Sequence, residues 1–251
     1  LNIAGWSTEY VTVPSSARSD ARRFLHLQDA LARNPAFALG VYCSDDVLEK
    51  VSESGVPFAV LTSMNKTVPK SVGRVSFCTA RALVDLALEC RKKGISRVLL
   101  VKTKEDNFRF ADIFASQGIE TEVLQIGPDV PTKSGEIVGS LASASASAIF
   151  ARLSKPGSLR PDLIYLADDG FAEGCLWQLT VMGLKVPEDI RVVTFANKGN
   201  VPYFIKPLAR IEEDLVSDAH MLSRAIIRFL KTRVFKMVVL SSSRFVSGST
   251  F

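Results

Sequence analysis

One segment, residues 160–197, constrains the fold more than any other part of the chain. Its apolar run Leu163–Ala167 is short and continuous, which is typical of a strand buried on both faces. A helical pattern over Phe171–Met182 follows, and Gly183 stands where a helix would end. A second apolar run, Ile190–Ala196, comes next. The segment therefore predicts a parallel strand–helix–strand unit.

Polar residues follow both strands of this unit. Asp168 comes directly after the first strand, and Asn197 after the second. The carboxyl ends of parallel strands lie at one edge of a sheet, where open α/β sheets bind ligands. We therefore expect Asp168 and Asn197 to lie near each other beside a binding site. Asp168 and Asp169 also stand at a helix start, so one carboxylate is expected to cap the helix while the other faces the ligand.

Composition excludes several classes of protein. The 251 residues, 47% hydrophobic and 23% charged, suffice for one large core or two modest ones. No stretch approaches the ~20 apolar residues of a membrane span, and Leu1–Trp6 lacks the features of a signal peptide. The net charge is +5, but the densest basic run, Arg91–Lys93, suits a solvated helix end. No nucleic-acid-binding motif is present, so we do not expect this chain itself to read DNA.

Catalytic and metal motifs are also lacking in the sequence. It contains no GxSxG, GxxxxGK[ST] or GxGxxG motif, and His26 and His220 lack the spacing of a zinc site. We expect no enzyme activity, no metal and no cofactor. The cysteines form no CxxC pair, which favours free thiols in a reducing cytosol over disulfides. They are Cys43, Cys78, Cys90 and Cys175.

Strand-like and helix-like patterns alternate along almost the whole chain. The predicted strands are Asn2–Trp6, Phe37–Tyr42, Pro57–Leu61, Arg97–Val101, Glu122–Ile126, Leu163–Ala167, Ile190–Ala196 and Met237–Leu240. The predicted helices are Asp20–Asn34, Asp46–Ser54, Ala80–Lys93, Phe108–Gln117, Ser134–Leu153, Phe171–Met182 and Leu215–Lys231. This alternation predicts an α/β protein with parallel sheets covered by helices, and the number of strands favours two doubly wound lobes over one sheet.

The segment 160–197 also resembles a known family at many positions with fixed spacing. The matching residues are Arg160-Pro161-Asp162, Ala167-Asp168-Asp169, Gly174, Gly183-Leu184, Val186–Ile190 and Val192–Phe195. They are similar to the effector-binding core of the lac-repressor/gal-repressor regulators. The resemblance implies the two-lobed fold of periplasmic sugar-binding proteins and a ligand-sensing task.

The resemblance implies three crossings of the chain between the lobes. They are expected near Val101–Asn107, at Ala167–Gly170 or shortly after Asn197, and at Pro207–Ile211. The N-terminal lobe would then hold residues 1–103 and about 209–233, and the C-terminal lobe residues 104–208 and about 234–251. The tail Val239–Thr250 resembles the closing strand of the family.

The N-terminal part of the chain departs from the pattern of elements in the family. Leu31–Leu61 matches the family from its second helix to its fourth strand, so Leu1–Trp6 would be the second strand and the first strand and helix would be missing. We therefore expect upstream residues, including a DNA-binding head, to belong to the protein but not to this chain. The alternative is that Leu1–Trp6 serves as the first strand of an unusually small lobe.

Carrying the family's ligand contacts over gives a set of candidate effector-binding residues. Asp168 occupies the position of the asparagine that contacts the effector in the family. Asn197 occupies the position of an aspartate that this chain lacks. Glu213 stands for a glutamine at the third crossing. Asp106 stands for an arginine, with Arg109 one helical turn later. Thr62, next to Ser63, stands for the aspartate that ends the fourth strand.

One helix is apolar on two sides. In Phe171–Met182 one stripe carries Ala172, Cys175 and Leu179, and a second stripe lies at i, i+3, i+4 and i+8. The second stripe consists of Glu173, Leu176, Trp177 and Val181. The equivalent helix of the family lies at a two-fold contact, which implies a homodimer through this stripe. The alternative is that Trp177 packs within its own lobe.

Together these expectations describe the effector-binding and dimerisation domain of a cytoplasmic bacterial transcription regulator. A small molecule, a sugar or a related metabolite, would close the two lobes and modulate DNA binding through the separate head. An exported solute-binding protein of a sugar transporter is the alternative, and an enzyme on a doubly wound fold is the third class. The fold alone does not decide among them.

Overall fold

The computed structural model describes residues 7–13, 24–41, 43–62, 67–69, 71–103, 110–126, 141–235 and 237–251. The elements in chain order are α1 (Leu25–Ala32), β1 (Ala38–Val41), α2 (Asp45–Glu53), β2 (Phe58–Leu61), β3 (Gly73–Phe77), α3 (Ala80–Lys92), β4 (Arg97–Thr103), α4 (Phe110–Ala115), β5 (Glu120–Ile126), α5 (Leu141–Leu153), β6 (Leu163–Leu166), α6 (Ala172–Val181), β7 (Arg191–Asn197), β8 (Ala209–Glu213), α7 (Leu215–Thr232), β9 (Val238–Leu240) and β10 (Arg244–Val246). A 3₁₀ turn, Asp169–Phe171, leads into α6.

The described strands form two sheets, which confirms the predicted fold class of two parallel-sheet lobes. The first sheet has the order β1-β2-β3-β9 and is parallel throughout. The second has the order β10-β8-β7-β6-β4-β5 and is parallel except for β10. A first unit holds Leu1–Cys78 and Val216–Ser241, and a second holds Thr79–Leu215 and Ser242–Phe251. The chain thus passes between the units three times.

The second unit has a hydrophobic core on each face of its sheet. Leu99 and Leu100 are neighbours on β4 but contribute to opposite cores, because successive side chains of a strand point to opposite faces. Leu100 packs in the core that contains Leu86 of α3, and Leu99 in the core that contains Leu179 of α6. All four residues of β6 are buried, as expected of a central strand covered on both sides. Each fully buried leucine stabilises the fold by roughly 1.5–3 kcal/mol.

The first unit is also built on both faces of its sheet. In α2, Val47, Leu48 and Val51 repeat at the spacing of one helix face and are buried with Val60 of β2. On the other face, Met221 and Leu222 of α7 pack against a core that contains Val75 of β3. The helix α7 thus completes the core of the first unit.

The predicted elements agree closely with the described ones. Seven predicted strands are present, with ends shifted by one or two residues, and the eighth, Asn2–Trp6, lies outside the described residues. The helices predicted at Asp20–Asn34 and Ser134–Leu153 are present as α1 and α5, and residues 14–23 and 127–140 are not described. Gly183 has φ 72° and donates its N–H to the Thr180 carbonyl, which confirms its place at the end of α6.

Three of the described strands, β3, β8 and β10, were not among the predicted ones. β10 is a short strand within the tail Val239–Thr250, and polar or charged residues obscure the other two. β3 contains Arg74 and Ser76, and β8 carries Arg210, Glu212 and Glu213 among only two apolar residues. Charged residues lower the apolar signal on which strand prediction depends. Here the charges are tolerated because Glu212 is paired with Arg210 and Arg244.

The boundary between the units differs from the predicted one. We expected residues 79–103 and 209–215 to belong with the N-terminal part, whereas both lie in the second unit. We expected residues 234–241 to belong with the C-terminal part, whereas they lie in the first unit, where β9 pairs with β3. The reason is strand pairing: β4 pairs with β5 and β6, and β8 pairs with β7 and β10. The chain changes units after Cys78, Leu215 and Ser241. All three expected crossings therefore fall inside the second unit: near Val101–Asn107, at Ala167–Gly170 or shortly after Asn197, and at Pro207–Ile211.

Candidate functional site

Three of the predicted effector-binding residues meet at one edge of the second sheet. Asn197 is the last residue of β7 and pairs in register with Glu213, the last residue of β8. Asp168 lies two residues beyond the end of β6, the strand on the other side of β7. All three strands are parallel, so their carboxyl ends share this edge. We call Asp168, Asn197 and Glu213 the carboxyl edge.

Asp168 shapes the backbone at this edge. Its Oδ1 accepts a hydrogen bond of 2.8 Å from the Gly170 N–H, and its own backbone is extended, as at a helix N-cap. Of the two adjacent carboxylates, Asp168 is therefore the cap, and Asp169 begins the 3₁₀ turn. The negative charge lies where the backbone N–H groups of the turn and of α6 favour it.

Two further polar residues, Lys198 and Asp214, directly follow Asn197 and Glu213. Glu213 is buried, with 5% of its surface exposed. Lys198 donates its backbone N–H to the Glu213 carbonyl at 2.8 Å, and its ammonium lies 2.6 Å from an Asp214 carboxylate oxygen. Sequence reasoning did not select Lys198 or Asp214. Each directly follows a predicted residue at a strand end, and this position was the signal that could have found them.

The remaining predicted contacts lie elsewhere. Thr62 follows β2 in the first unit, is 4% exposed, and donates its N–H to the Val75 carbonyl at 3.0 Å. Ser63, Asp106 and Arg109 lie outside the described residues. Thr62 therefore directly follows a strand of the first sheet.

The Arg-Pro-Asp part of the family signature has a structural role at the opposite edge of the second sheet. Asp162 Oδ2 accepts hydrogen bonds from Ser96 N–H (2.8 Å), Ser96 Oγ (3.0 Å) and Arg97 N–H (2.9 Å). Burial opposes ionisation of Asp162, but these hydrogen bonds outweigh it and hold the pKa of the carboxyl below its usual range. The side chain thus ties the start of β4 to the start of β6.

The stripe predicted for the dimer is only partly on the surface. Trp177 and Val181 of α6 are 69% and 63% exposed, and Glu173 is also exposed. Leu176, by contrast, is 2% exposed and belongs to the core of the second unit. It was placed in this stripe because it lies one turn from Glu173. The wide apolar surface of α6 buries Leu176 together with Cys175 and Leu179 instead.

The part of the chain that the structure describes contains neither a candidate metal site nor a candidate membrane-spanning helix. No group of three or more His, Cys, Asp or Glu side chains is arranged to hold a metal ion. No described helix is both long and apolar enough to cross a membrane.

The fold and this edge define a class: an α/β protein with two parallel-sheet units, one of which presents polar residues where such sheets bind ligands. A family model described as the periplasmic binding protein-like domain matches residues 89–251, which is more than half of the chain. The chain therefore belongs to the periplasmic binding protein-like domain family. No curated protein matched the sequence.

Solved structures of transcription regulators share this fold. A LacI family transcriptional regulator from Bifidobacterium animalis subsp. lactis has a TM-score of 0.70 and 14% identity, over 93% of this chain and 84% of that one. A LacI family regulator from an Arthrobacter species, in complex with lactose, has a TM-score of 0.66 and 16% identity, over 88% and 80%. One from Enterococcus faecalis with bound ribose has a TM-score of 0.65 and 13% identity, over 92% and 83%. At such identities the likeness establishes a shared fold.

Proposed function

We propose that this chain is the effector-binding domain of a bacterial transcription regulator of the LacI type, and that its effector is a sugar or a related polar metabolite. The observation that carries the proposal is the carboxyl edge, where Asp168, Asn197 and Glu213 meet at the ends of adjacent parallel strands. The sugar class is supported by the lactose and ribose bound in two proteins of the same fold.

The chemistry of the edge suits a ligand with several hydroxyl groups. An ionised carboxylate accepts hydrogen bonds from hydroxyls, and the amide of Asn197 both donates and accepts them. Asp168 and Glu213 are the proposed acceptors, and Asn197 the group that orients the ligand. Such sites combine a few fixed polar groups with apolar walls.

Further contacts are proposed from other parts of the chain. Thr62 and Ser63 are proposed to contribute hydroxyl groups that bind the effector. Arg109 and Asp106, three residues apart in the sequence, are proposed as further contacts. These four assignments rest on the family resemblance.

The proposed mechanism is a shift between conformations. A ligand that binds one arrangement of the two units more tightly than another shifts the population toward it. The regulator would transmit that shift to DNA through a separate head, and it would act in the cytoplasm. No catalytic step, metal or cofactor is needed for this task.

Self-association is proposed through the exposed part of α6. Trp177 and Val181 lie one helical turn apart and are both largely exposed. Tryptophan is enriched at the energetic centres of protein interfaces. A homodimer formed through Trp177, Val181 and Glu173 would cover this surface. Leu176 would pack beneath these residues, in the core of the second unit.

Calorimetry against lactose, ribose and a panel of other sugars and polar metabolites tests the effector assignment. Asp168→Ala is expected to weaken binding at least tenfold, whereas Asp168→Asn retains an acceptor for Gly170 and isolates the effect of charge. Asp189→Asn is the matched control, because Asp189 also accepts a backbone N–H, from Lys185, but lies before β7 rather than after a strand. Unchanged affinity in folded Asp168→Ala would remove Asp168 from the site, and no binding by any sugar would refute the sugar class.

A solute-binding protein of a transporter is the second candidate, and the family description favours it as much as a regulator. The oligomeric state discriminates between the two, because the regulator is proposed as a homodimer through α6. A monomer at micromolar concentration that binds sugar tightly would favour the transporter component.

A further inference from the structure

One side of α7 carries three basic side chains and no carboxylate. Arg224, Arg228 and Lys231 stand at i, i+4 and i+7, a spacing that puts residues on one side of a helix, and all three are exposed. The one acidic residue of α7, Asp218, is buried. We call Arg224, Arg228 and Lys231 the basic stripe. The other exposed residues of this helix are Leu215, Val216, Ser217, Ala219, His220 and Thr232.

The position of the basic stripe is not explained by the helix itself. No ion pair joins it to any residue that the structure describes, whereas the exposed Lys92 of α3 lies 2.5 Å from Glu89. Cations stabilise a helix only within its last turn, where Lys231 lies. Arg224 lies in the middle of α7, eight residues before its end. The stripe therefore presents charge that the described structure does not neutralise.

The first sheet separates this basic helix from an acidic one. α2 packs with Val60 on one face of the sheet, whereas α7 packs on the other face, against the core that contains Val75. The charged residues of α2 are mostly acidic: Asp45, Asp46, Glu49, Lys50 and Glu53. A negatively charged partner is therefore attracted to the side of α7 and repelled by the side of α2.

The length of the basic stripe favours an extended polyanion. Arg224 and Lys231 are about 10 Å apart along the helix axis, a span that a small anion would not fill. Double-stranded DNA carries one negative charge per roughly 1.7 Å of its axis and so offers phosphates along the whole stripe. A helix that lies on a membrane inserts its apolar residues among the lipids. In α7, Met221, Leu222 and Ala225 instead pack against the core of the first unit.

We propose that the basic stripe binds the phosphate backbone of double-stranded DNA, as a contact additional to that of the separate head. The choice of DNA among polyanions rests on the proposed regulator function. Phosphate contacts position a protein on the duplex and carry no sequence information. The proposal therefore agrees with the lack of a motif that reads DNA sequence in this chain.

Fluorescence anisotropy of a labelled duplex of arbitrary sequence, titrated with the full chain over a series of salt concentrations, tests this. Phosphate contacts release counterions, so the affinity falls as the salt concentration rises. The triple variant Arg224→Gln, Arg228→Gln and Lys231→Gln is expected to bind about tenfold or more weakly at low salt, and to reduce the slope of log affinity against log salt by about 2 to 3. Each single change should reduce this slope by about 1.

Two further variants separate the basic stripe from net charge. The first removes three charges from exposed positions of the second unit, by Arg91→Gln, Arg160→Gln and Lys185→Gln, and should retain most of the affinity and of the salt slope. The second, Arg224→Lys with Arg228→Lys, should also retain the slope, because a phosphate contact requires the positive charge. Circular dichroism checks that every variant is folded.

Three outcomes would overturn the proposal. They are a parent chain that does not bind the duplex at low salt, equal losses of slope in the stripe variant and the charge control, and tighter binding to phosphatidylglycerol vesicles than to the duplex at the same salt concentration. Sugar calorimetry is read separately: the stripe variant should keep the effector affinity of the parent. A parent that binds no sugar would refute the proposed effector and would leave the DNA result standing.

Discussion

Asn197 pairs with Glu213 at the last position of the parallel ladder between β7 and β8. Because both strands run in the same direction, the amide and the carboxylate stand side by side at one edge of the sheet. Asp168 joins them from the next strand, β6. Three polar residues distant in sequence thus lie at one edge of the second sheet.

The exposed tryptophan of α6 predicts an effect on oligomeric state. Trp177→Glu is expected to yield a folded monomer, because a charge buried in an apolar interface carries a large desolvation cost. Light scattering measures the mass, and circular dichroism checks the fold. Leu159→Glu is the matched control, since Leu159 is 67% exposed but lies outside α6. A dimer that survives Trp177→Glu would place the contact on another surface.

Gly174 predicts a large effect on stability. A Cβ at this position would lie 1.7 Å from the Ala142 carbonyl oxygen, which is backbone of α5. Gly174→Ala must therefore separate α5 from α6, and we expect a loss of about 3 kcal/mol or more in urea denaturation. Gly183→Ala, where φ is 72° and the surroundings are open, should lose only about 1 kcal/mol. Equal losses would show that the two helices can move apart easily.

The ion pairs of buried Glu212 with Arg210 and Arg244 predict a dependence of stability on pH. Burial acts to raise the pKa of Glu212, but hydrogen bonds from Arg244 and Arg210 outweigh it, so the pKa lies below its usual value. The native state thus binds this proton less readily than the unfolded state. The stabilising contribution is present above the unfolded pKa and is lost as the pH falls through the folded one.

Glu212→Gln should remove this part of the acid dependence. Denaturation midpoints measured between pH 7 and pH 3 are expected to fall less steeply in the variant than in the parent protein, although the variant is less stable at pH 7. Glu49→Gln, an exposed change on α2, controls for loss of a carboxylate. Parallel curves for Glu212→Gln and its parent would contradict the lowered pKa.

The cysteines predict two classes of thiol reactivity. None of the four, all of which lie in the described part of the chain, forms a disulfide. Cys90 and Cys175 are buried, and Cys43 and Cys78 are partly exposed. Burial raises the pKa of Cys90 and of Cys175 to about 12, so few of their thiols are ionised near pH 8. A disulfide reagent should react quickly with two thiols in the folded protein and with four after denaturation. Rapid reaction of all four in the folded protein would contradict the burial of Cys90 and Cys175.

Local patterns in the sequence predicted most of the elements and two of the residues at the carboxyl edge. The strand–helix–strand unit within residues 160–197 was predicted from its apolar periodicity, which reports how each residue is buried. Asp168 and Asn197 were predicted at one edge because parallel strands end on the same side. The prediction of Glu213 depended on the family resemblance, because β8 carries too many charged residues to be recognised as a strand from its sequence.

Only the tertiary structure determined which residues that are distant in sequence contact each other. The pairing of β4 with β6 moves the unit boundary from the predicted position near residue 103 to Cys78. The width of the apolar face on α6 buries Leu176 and leaves Trp177 exposed, although both belong to one predicted stripe. Hydropathy along the chain shows that a residue is apolar or charged, but which surface covers it depends on contacts made only when the chain has folded.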